Sequence, residues 1–432
     1  MKLLLTGARI IDPLQNIDSL MDISLDGGKI AKVGVNLSKS LKSKDSEKTI
    51  KIIDLAGMIL VPGLIDMHTH LREPGFEYKE TIASGSAAAV AGGFTSIACM
   101  PNTDPVNDNR SITEFILRKA AEAALANVYP VGAISMHSAG SKLTEFWDLK
   151  EAGIVALSDD GKPVMDAALM RRAMEYASSL KLPVISHCED TNLSADGLMN
   201  EGYYSTIMGL RGIPGAAEEV MIARDILIAE FTKTPVHIAH VSTAGSVRLI
   251  RDAKKRGLKV TAETAPHYFT LTDEALQSYD TNFKINPPLR SKEDVAAIKE
   301  GLADGTIDVI ACDHAPHGRT DKEVEFEYAA NGISGLETSL GLSLNLINSK
   351  ILNWPELIAK MSLNPARILN LPKGTLETGA DADITVIDPQ VKWTVDVQAF
   401  RSRGKNSPFH GRQMQGKAIL AIVGGEIKYD GR

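Results

Sequence analysis

The feature that most constrains the fold is a series of short, continuously apolar runs in the middle of the chain, separated by stretches with a helical pattern. Such runs are typical of strands buried on both faces, and strands that alternate with helices form parallel sheets. Eight occur: Leu60–Met67, Thr95–Met100, Val128–Ile134, Ile154–Leu157, Pro183–Ser186, Val236–Ala239, Val260–Thr264 and Ile307–Cys312. Eight strand–helix units predict an α/β fold of the (β/α)8 type, a TIM barrel, with a doubly wound open sheet as the alternative.

The two ends of the chain have a different pattern, with short apolar or alternating runs and paired glycines that mark hairpin turns. The runs are Leu3–Ile11, Ile23–Val33, Ile50–Leu55, Ala382–Ile387 and Ala418–Val423. We therefore predict a small β-sandwich domain built from both termini. Residues 1–58 and 371–432 would form it, and residues 59–370 would form the barrel. The composition of Ser38–Lys48 predicts a solvated loop.

Composition limits the classes of function. Of the 432 residues, 44% are apolar and 23% are charged, which is typical of a soluble globular protein. The formal net charge of -7 disfavours general binding to nucleic acids or anionic membranes. The three cysteines have no CxxC spacing, which disfavours a cysteine-built metal site and favours a reducing cytosol. No signal peptide and no apolar run of roughly 18 residues is evident, so we expect a cytoplasmic protein.

Polar side chains stand where the predicted strands end. In a parallel barrel all carboxyl ends of the strands open onto one mouth, so residues far apart in the sequence converge there. The residues at these positions are His68, His70 and Arg72 after the first strand, Asn102 after the second, Asp160 after the fourth, His187 after the fifth, His240 after the sixth, and Asp313 and His317 after the eighth.

This set of residues predicts a metal centre. Four imidazoles and two carboxylates exceed the ligands of one structural zinc and suit a two-metal site that keeps positions for water. Imidazole favours zinc, cobalt, nickel and iron over magnesium. A carboxylate that bridges two cations offsets their repulsion, and a bridging water becomes hydroxide near neutral pH, ready to hydrolyse an amide, ester or phosphoester. Asp313 can take the proton of that hydroxide and return it to the leaving group.

The remaining polar residues have less specific patterns. The planar fork of Arg72 suits a carboxylate or phosphate, with a surface ion pair as the alternative. Asn102 and Asn286 can add amide donors and acceptors, or else be turn residues. We interpret the other five histidines as structural: His137, His237, His267, His314 and His410. Of these, His237 is expected to face the core or a helix, and His314 either to orient Asp313 or to pack.

Eight stretches resemble the motifs of the amidohydrolase superfamily and, within it, of the bacterial, type I dihydroorotases. They are Asp66–Gly75, Met100–Thr103, Ser158–Gly161, His187–Asp190, His240–Thr243, Glu263–Tyr268, Asn286–Arg290 and Asp313–His317. HLREPG at residues 70–75, together with DHAPH at residues 313–317, is specific to dihydroorotases, whereas HxH alone indicates only the superfamily. The resemblance covers essentially the whole chain.

The resemblance implies a zinc-dependent TIM-barrel hydrolase that reversibly cyclises N-carbamoyl-L-aspartate to (S)-dihydroorotate, the third step of pyrimidine biosynthesis. It implies two Zn2+ ions, bridged by Asp160 and a hydroxide. His68, His70 and Asp313 look like ligands of one zinc, and His187 and His240 of the other, while Asp313 also looks like the catalytic acid/base. The substrate ligands that it implies are His70, Arg72, Asn102, Asn286, His317, Asn331 and Gly332, the last two on a flap. Relatives form homodimers or associate with aspartate transcarbamoylase, and nothing in the sequence selects between these.

Two departures from the superfamily pattern bear on the site. Many members bridge their metals with a carbamylated lysine where this sequence has Asp160, and Lys162 is the less favoured bridge. Asn331 stands where close relatives often carry an aromatic residue. Two other hypotheses stay open. One is a different cyclic-amide hydrolase of the allantoinase or hydantoinase type, which would not need Arg72. The other is a metal-free scaffold homologue, which the presence of all six ligands disfavours.

Overall fold

A parallel barrel, a second sheet of eight strands and a small two-stranded sheet make up the structure, a computed structural model that describes residues 2–37 and 50–432. The predicted solvated loop, Ser38–Lys48, lies outside the described residues. The strands are β1 (Lys2–Asp12), β2 (Ile17–Asp26), β3 (Lys29–Gly34), β4 (Ile50–Asp54), β5 (Ile59–Pro62), β6 (Leu64–Thr69), β7 (Phe94–Cys99), β8 (Asn127–Gly132), β9 (Ala156–Leu157), β10 (Ile185–Ser186), β11 (Met199–Asn200), β12 (Gly212–Ile213), β13 (Val236–Ile238), β14 (Val260–Thr264), β15 (Val309–Ile310), β16 (Ile384–Thr394), β17 (Gln413–Val423) and β18 (Glu426–Asp430).

Helices lie between the strands of the barrel and after the last of them. They are α1 (Ile82–Ala91), α2 (Arg110–Ala123), α3 (Phe146–Ala152), α4 (Ala167–Ser179), α5 (Thr191–Ser194), α6 (Tyr203–Met208), α7 (Ala216–Thr232), α8 (Ala244–Lys255), α9 (Lys292–Ala303), α10 (Arg319–Lys322), α11 (Leu336–Asn348), α12 (Trp354–Ile358) and α13 (Asn364–Ile368). Threonine side chains begin two of them, because the hydroxyl of Thr81 accepts the N–H of Ser84 before α1 and that of Thr243 accepts the N–H of Ser246 before α8. In the part of the chain that the structure describes, no helix is both long and apolar enough to cross a membrane.

Eight parallel strands form the barrel. β6, β7, β8 and β9 pair in that order, and so do β10, β13, β14 and β15. Parallel bridges from Leu157 to Val184 and from Thr69 to His314 join the two groups, so the sheet closes on itself. This closed ring confirms the predicted (β/α)8 barrel against the open-sheet alternative.

Asp66 reinforces the junction between the first and last barrel strands. One of its carboxylate oxygens accepts the backbone N–H of His68 at 3.0 Å, and the other accepts that of Cys312 at 2.9 Å. Burial raises the pKa of this carboxyl to about 7, although the hydrogen bonds oppose the shift. Asp66 thereby fixes two strand ends that carry predicted site residues.

The interior of the barrel is a packed core. Met67, Ala98, Val131, Ile185 and Val309 fill it, each from a different strand. The three cysteines are buried and form no disulfide: Cys99, Cys188 and Cys312.

The first predicted strand, Leu60–Met67, differs from the observed structure because it is two strands. Residues 59–62 form β5 in the second sheet, and β6 starts the barrel after Gly63. A Cβ on Gly63 would lie 2.0 Å from Oγ1 of Thr95, so only glycine fits at this crossing. Both strands are fully buried, and an apolar run therefore does not reveal where the chain leaves one sheet for the other.

Strands from both ends of the chain build the second sheet, as predicted. Its order is β18-β17-β16-β5-β1-β2-β3, with β4 paired to β1. Residues from the two termini share one apolar core, which includes Leu5, Ile10, Ile384 and Leu420. The division of the chain at residues 58/59 and 370/371 stays a prediction.

Candidate active site

A cavity of about 210 Å³ opens at the carboxyl ends of the barrel strands, here called the mouth. Most of the predicted site residues line it: His70, Arg72, Asn102, Asp160, His187, His240, Asn286, Asp313, His317, Asn331 and Gly332. His68 is fully buried and contacts two of these residues, Asp160 and Asp313. The structure thus brings together side chains that are up to 264 residues apart, from His68 to Gly332.

The two histidines at the end of β6 each have one ring nitrogen held by an acceptor oxygen. Nδ1 of His68 lies 2.5 Å from Oε1 of Glu263, and Nδ1 of His70 lies 2.9 Å from Oδ1 of Asn102. A carboxylate oxygen accepts only, so the proton of neutral His68 is on Nδ1 and its lone pair is on Nε2. In His70 both ring nitrogens face acceptor oxygens, because Nε2 lies 3.0 Å from Oδ1 of Asp313. Both Nε2 atoms approach Asp160, at 3.3 Å from His68 and 3.5 Å from His70.

The two histidines that follow β10 and β13 face the same carboxylate. Nε2 of His187 lies 3.1 Å from Oε2 of Glu189, so its Nδ1 carries the lone pair. That Nδ1 is 3.4 Å from Oδ1 of Asp160, and Nε2 of His240 is 3.3 Å from the same oxygen. The two ring nitrogens are only 2.8 Å apart, so both are directed at one point.

Asp160 is shared by two groups of candidate metal ligands. His68, His70 and Asp160 form one group and Asp160, His187 and His240 the other, with the ligand atoms of each group within 4.8 Å of one another. Nε2 of His68 and Oδ1 of Asp160 are buried and make no hydrogen bond to any described residue. Convergent ring nitrogens and orphaned buried polar atoms fit a pair of divalent cations, and the imidazole-rich donor set favours zinc-like metals over magnesium.

Charge in the site is balanced between imidazoles and carboxylates. Burial opposes the charged form of His187, but the nearby carboxylates of Asp160 and Glu189 outweigh it and raise the pKa to about 10. For Asp313, burial is outweighed by the positive charge of His68 and a hydrogen bond to His70, which hold the pKa below its usual range. The candidate ligands therefore attract a cation strongly, and binding one displaces protons from the imidazoles.

Three site residues have positive φ angles, a backbone region that is unfavourable for residues other than glycine. The φ angles are 62° at Arg72, 32° at His240 and 47° at Asp313. Positive φ at residues other than glycine costs free energy and concentrates at functional sites. At Asp313 the result is that Oδ1 lies 3.0 Å from Nε2 of His70 and 3.6 Å from Nε2 of His68.

Arg72 is a cation without a carboxylate partner. Its Nε donates to the carbonyl of Pro316 at 3.2 Å, and one Nη lies 3.4 Å from Nε2 of His317. No Asp or Glu oxygen of residues 2–37 or 50–432 forms an ion pair with it. Burial lowers the pKa of the guanidinium to about 10, although Asp313 and Asp160 raise it. A partly buried guanidinium that lines the cavity and forms no ion pair with a described residue is suited to an anionic ligand.

His317 lies between Arg72 and the loop at residues 318–332. Nδ1 faces the ammonium of Lys79 at 3.3 Å, and because an ammonium only donates, Nε2 carries the proton and donates to the carbonyl of Asn331 at 2.8 Å. Burial and the charges of Arg72 and Lys79 lower the pKa of His317 to about 2, so the ring stays neutral. At Gly332 a Cβ would lie 2.6 Å from the carbonyl of Ala315, so this approach requires glycine.

Several contacts differ from the sequence-based expectations. His314 does not orient Asp313: its ring contacts Oε2 of Glu80 at 3.3 Å and accepts the N–H of Gly335 at 3.1 Å. His237 is buried as expected, but it belongs to the site's hydrogen-bonded network through Glu263. Lys162, the less favoured bridge, is exposed and does not line the cavity.

Sequence reasoning assigned no role to two carboxylates, Glu263 and Glu189. Both hold histidines in the site, and Glu189 also accepts from Nδ2 of Asn286 at 2.8 Å. A charged residue inside the apolar strand β14 was a signal for Glu263, because a buried carboxylate requires partners. Glu189 had a weaker signal, its place two residues after His187 at a strand end.

Comparison with known proteins places this site in a family. Residues 57–246 match a family model described as dihydro-orotase-like. A protein from Syntrophus aciditrophicus named dihydroorotase is 63% identical over 429 residues, 99% of each chain. Another with that name, from Geotalea daltonii, is 57% identical over 428 residues, again 99% of each. The chain belongs to the dihydroorotase family.

A solved structure of a related enzyme shares the fold of this dihydroorotase family member over nearly its whole length. L-Hydantoinase (dihydropyrimidinase) from Arthrobacter aurescens has a TM-score of 0.87 and 25% identity to it, over 99% of this chain and 96% of the other. The resemblance to the amidohydrolases and, within them, to dihydroorotases is thereby confirmed, and the chain is a cyclic amide hydrolase. Its nearer likeness is to the dihydroorotases.

Proposed function

We propose that this chain cyclises N-carbamoyl-L-aspartate to (S)-dihydroorotate and water, and catalyses the reverse hydrolysis. The observation that carries the proposal is Arg72, a guanidinium without a carboxylate partner in the described chain, at the edge of a cluster of four imidazoles and two carboxylates. Dihydroorotate is a cyclic amide with one carboxylate, and it needs both an anion clamp and an amide-hydrolysing centre. The relatives named dihydroorotase support the same activity.

We further propose that the cluster holds two zinc ions. His68, His70 and Asp313 would hold one, His187 and His240 the other, and Asp160 would bridge them with a hydroxide. Support comes from the shared position of Asp160 in both ligand groups and from the four imidazole nitrogens that face it. When bound, such a metal pair supplies an acidified water and polarises the carbonyl that is attacked.

The protein's own residues bind, orient and move protons. Arg72 takes the carboxylate of the substrate in its planar fork, and the neutral ring of His317 and the amides of Asn102 and Asn286 lie on the same cavity. His70 borders both the ligand cluster and the substrate cavity, so we assign it to both. The backbone of Asn331 and Gly332 covers the pocket, because the side chain of Asn331 is exposed and its carbonyl is held by His317.

Asp313 is the proposed catalytic acid/base. In hydrolysis its carboxylate takes the proton of the attacking water and delivers it to the ring nitrogen as the amide bond breaks. In cyclisation it takes the proton of the carbamoyl nitrogen and gives it to the departing oxygen. Its low pKa keeps it ionised, and therefore a base, over the working range of pH.

Turnover of three cyclic amides tests the activity. Purified protein loaded with zinc is expected to hydrolyse dihydroorotate at a higher kcat/KM than hydantoin or allantoin, because only dihydroorotate carries a carboxylate for Arg72. Faster turnover of allantoin or hydantoin would assign the chain to the alternative specificity. Metal analysis of the same sample is expected to give two zinc ions per chain, and a sample free of metal would support the scaffold alternative.

Further properties of the chain remain our proposals. We place it in the cytoplasm, with a small-molecule substrate and without nucleic-acid or membrane partners. A homodimer and an association with aspartate transcarbamoylase are the two assemblies we propose to test by sedimentation, first alone and then with that enzyme. We retain residues 59–370 as the barrel unit, and residues 1–58 and 371–432 as the terminal domain.

A further inference from the structure

A chain of hydrogen bonds runs along the inside of the barrel beneath the site. Oε1 of Glu263 lies 2.5 Å from Nδ1 of His68, and Oε2 lies 3.2 Å from Nε2 of His237. Nδ1 of His237 in turn lies 2.8 Å from Oγ1 of Thr261. We propose that Glu263, held by His237 and Thr261, is a positioning residue that sets the metal affinity of one half of the site through His68. This inference rests on the proposed zinc-dependent function.

Strand geometry explains why these hydrogen bonds form a continuous row. Thr261 and Glu263 are i and i+2 on β14, so they face the same side of the strand at successive levels. His237 pairs with Thr261 across β13 and β14, which places the two at one level. His68 stands at the end of β6, on the level of the mouth. The three levels connect the cavity to the opposite end of the barrel, where His237 and Thr261 line a second cavity of about 530 Å³.

The proton positions follow from the donor and acceptor types. A carboxylate only accepts, so both imidazole nitrogens that face Glu263 carry protons. Neutral His68 then presents an unprotonated Nε2 toward Asp160, and this is the atom that makes no hydrogen bond within the described chain. For His237, Nδ1 is left as an acceptor for the hydroxyl of Thr261. These hydrogen bonds therefore have one consistent pattern, and it leaves a lone pair on the nitrogen of His68 that faces the proposed zinc.

The residues of this hydrogen-bonded row are buried. Glu263, His237 and His68 are each at most 1% exposed, so water does not replace a lost partner. A carboxylate on the outer nitrogen of a ligating histidine fixes the ring and increases its basicity toward the metal. His187 has its own carboxylate, Glu189, on the other side of the site. Loss of Glu263 is therefore expected to weaken one metal position and to spare the other.

Glu263→Gln is the principal variant. Glutamine keeps the size of the side chain but has one acceptor for two imidazole N–H groups, so either His68 or His237 must change tautomer, and the negative charge is lost. The matched control is Asp12→Asn. Asp12 is an equally buried carboxylate in the terminal domain, where it accepts hydrogen bonds from the backbone N–H of Leu14 and Leu376.

Zinc binding is measured by competition with a chromophoric chelator, and the Tm of chelator-treated protein is measured in parallel. We expect the wild type to bind two zinc ions. Glu263→Gln is expected to weaken one of them about 10- to 100-fold and to leave the other unchanged. The metal-free Tm is expected to fall about as much in Glu263→Gln as in Asp12→Asn, with zinc affinity unchanged in Asp12→Asn.

Three outcomes would overturn the positioning role: unchanged zinc affinities in Glu263→Gln, equal weakening of both positions, or a similar weakening in Asp12→Asn. A wild type that binds no zinc contradicts the proposed function itself, which separates the two failures. If Glu263→Gln does not fold, Thr261→Val decides. This variant keeps the shape of Thr261 but removes the hydroxyl that holds His237, and it is expected to weaken the same zinc position about threefold or more. No change in Thr261→Val then counts against the inference.

Discussion

Replacement of Arg72 by methionine is expected to weaken substrate binding and to stabilise the free protein. Arg72→Met keeps most of the aliphatic stem of the side chain but removes the guanidinium. In the free protein the guanidinium has one carbonyl partner, Pro316, and no carboxylate partner in the described chain. With substrate bound, the same group would hold a carboxylate. One substitution thus acts in opposite directions on stability and on affinity.

The size of the stability effect follows from the pKa. Burial lowers the pKa of Arg72 from 12.5 to about 10. At about 1.4 kcal/mol for each pKa unit this corresponds to roughly 3 kcal/mol, which solvent contact of the side chain reduces to about 1–3 kcal/mol. Arg72 remains protonated in the unfolded chain, so this cost to the folded state is present at neutral pH and is relieved only as the pH rises toward 10 and above. We expect a higher Tm for Arg72→Met at pH 7.5.

The effect on binding follows from the lost charge pair. Truncating one partner of a desolvated charge pair costs about 2–5 kcal/mol, or roughly a 30- to 4,000-fold rise in KM. Steady-state hydrolysis of dihydroorotate measures this change, and hydrolysis of hydantoin is the internal control because its ring has no carboxylate. Arg110→Met is the control on the outer surface, where it removes an arginine paired with Asp148. It is expected to leave KM unchanged for both substrates. An unchanged KM for dihydroorotate, or an equal loss with hydantoin, would refute the assigned role of Arg72.

Three other predictions follow from the structure. Asp313→Asn is expected to lower kcat by about 10²- to 10⁴-fold, because it removes the group that moves the proton. Near-normal turnover with a full zinc content would contradict that role. Glu337→Gln is expected to stabilise the protein by about 1–2 kcal/mol at pH 8 but little below pH 5, because burial raises the pKa of Glu337 from 4.5 to about 7. The folded state therefore loses stability as the pH rises through this range, and a pH-independent effect in denaturant titrations at both pH values would show another cause. Chelation of metal is expected to abolish turnover and lower the Tm, because about 2.7 kcal/mol of stabilisation is lost when a ligand present at 100 times its Kd is removed. Added zinc should restore both, and activity that survives complete removal of metal would argue against a metal-dependent site.

The sequence predicted much of the barrel and the mouth because a parallel topology converts strand ends into neighbours. Each predicted run overlaps one of the eight barrel strands, and the residues that follow those strands line one cavity. Periodicity was insufficient where two buried strands follow each other directly, as at Gly63. There the direction of the chain depends on a close approach to Thr95, which is a tertiary contact and leaves no local pattern.

Residues inside the strands were harder to assign than residues after them. Glu263 faces the barrel interior one residue before β14 ends, and its partners, His68 and His237, come from distant strands. Asn331 illustrates a different limit, since its contact with His317 is made by the backbone carbonyl. A backbone contact depends on the path of the loop and is independent of the side chain that the sequence displays.

The position of β5 has a consequence for synthesis of the protein on the ribosome. β5 pairs with β16 over four residues, from Ile384–Pro62 to Ile387–Ile59, and with β1 over only two. It continues through Gly63 into β6, which ends with the first histidines of the site. A nascent chain that has not yet reached residue 387 leaves this edge of β5 unpaired. The candidate metal ligands nearest the start of the chain are thus adjacent to a strand whose pairing can be completed only after residues 384–387 have been synthesised.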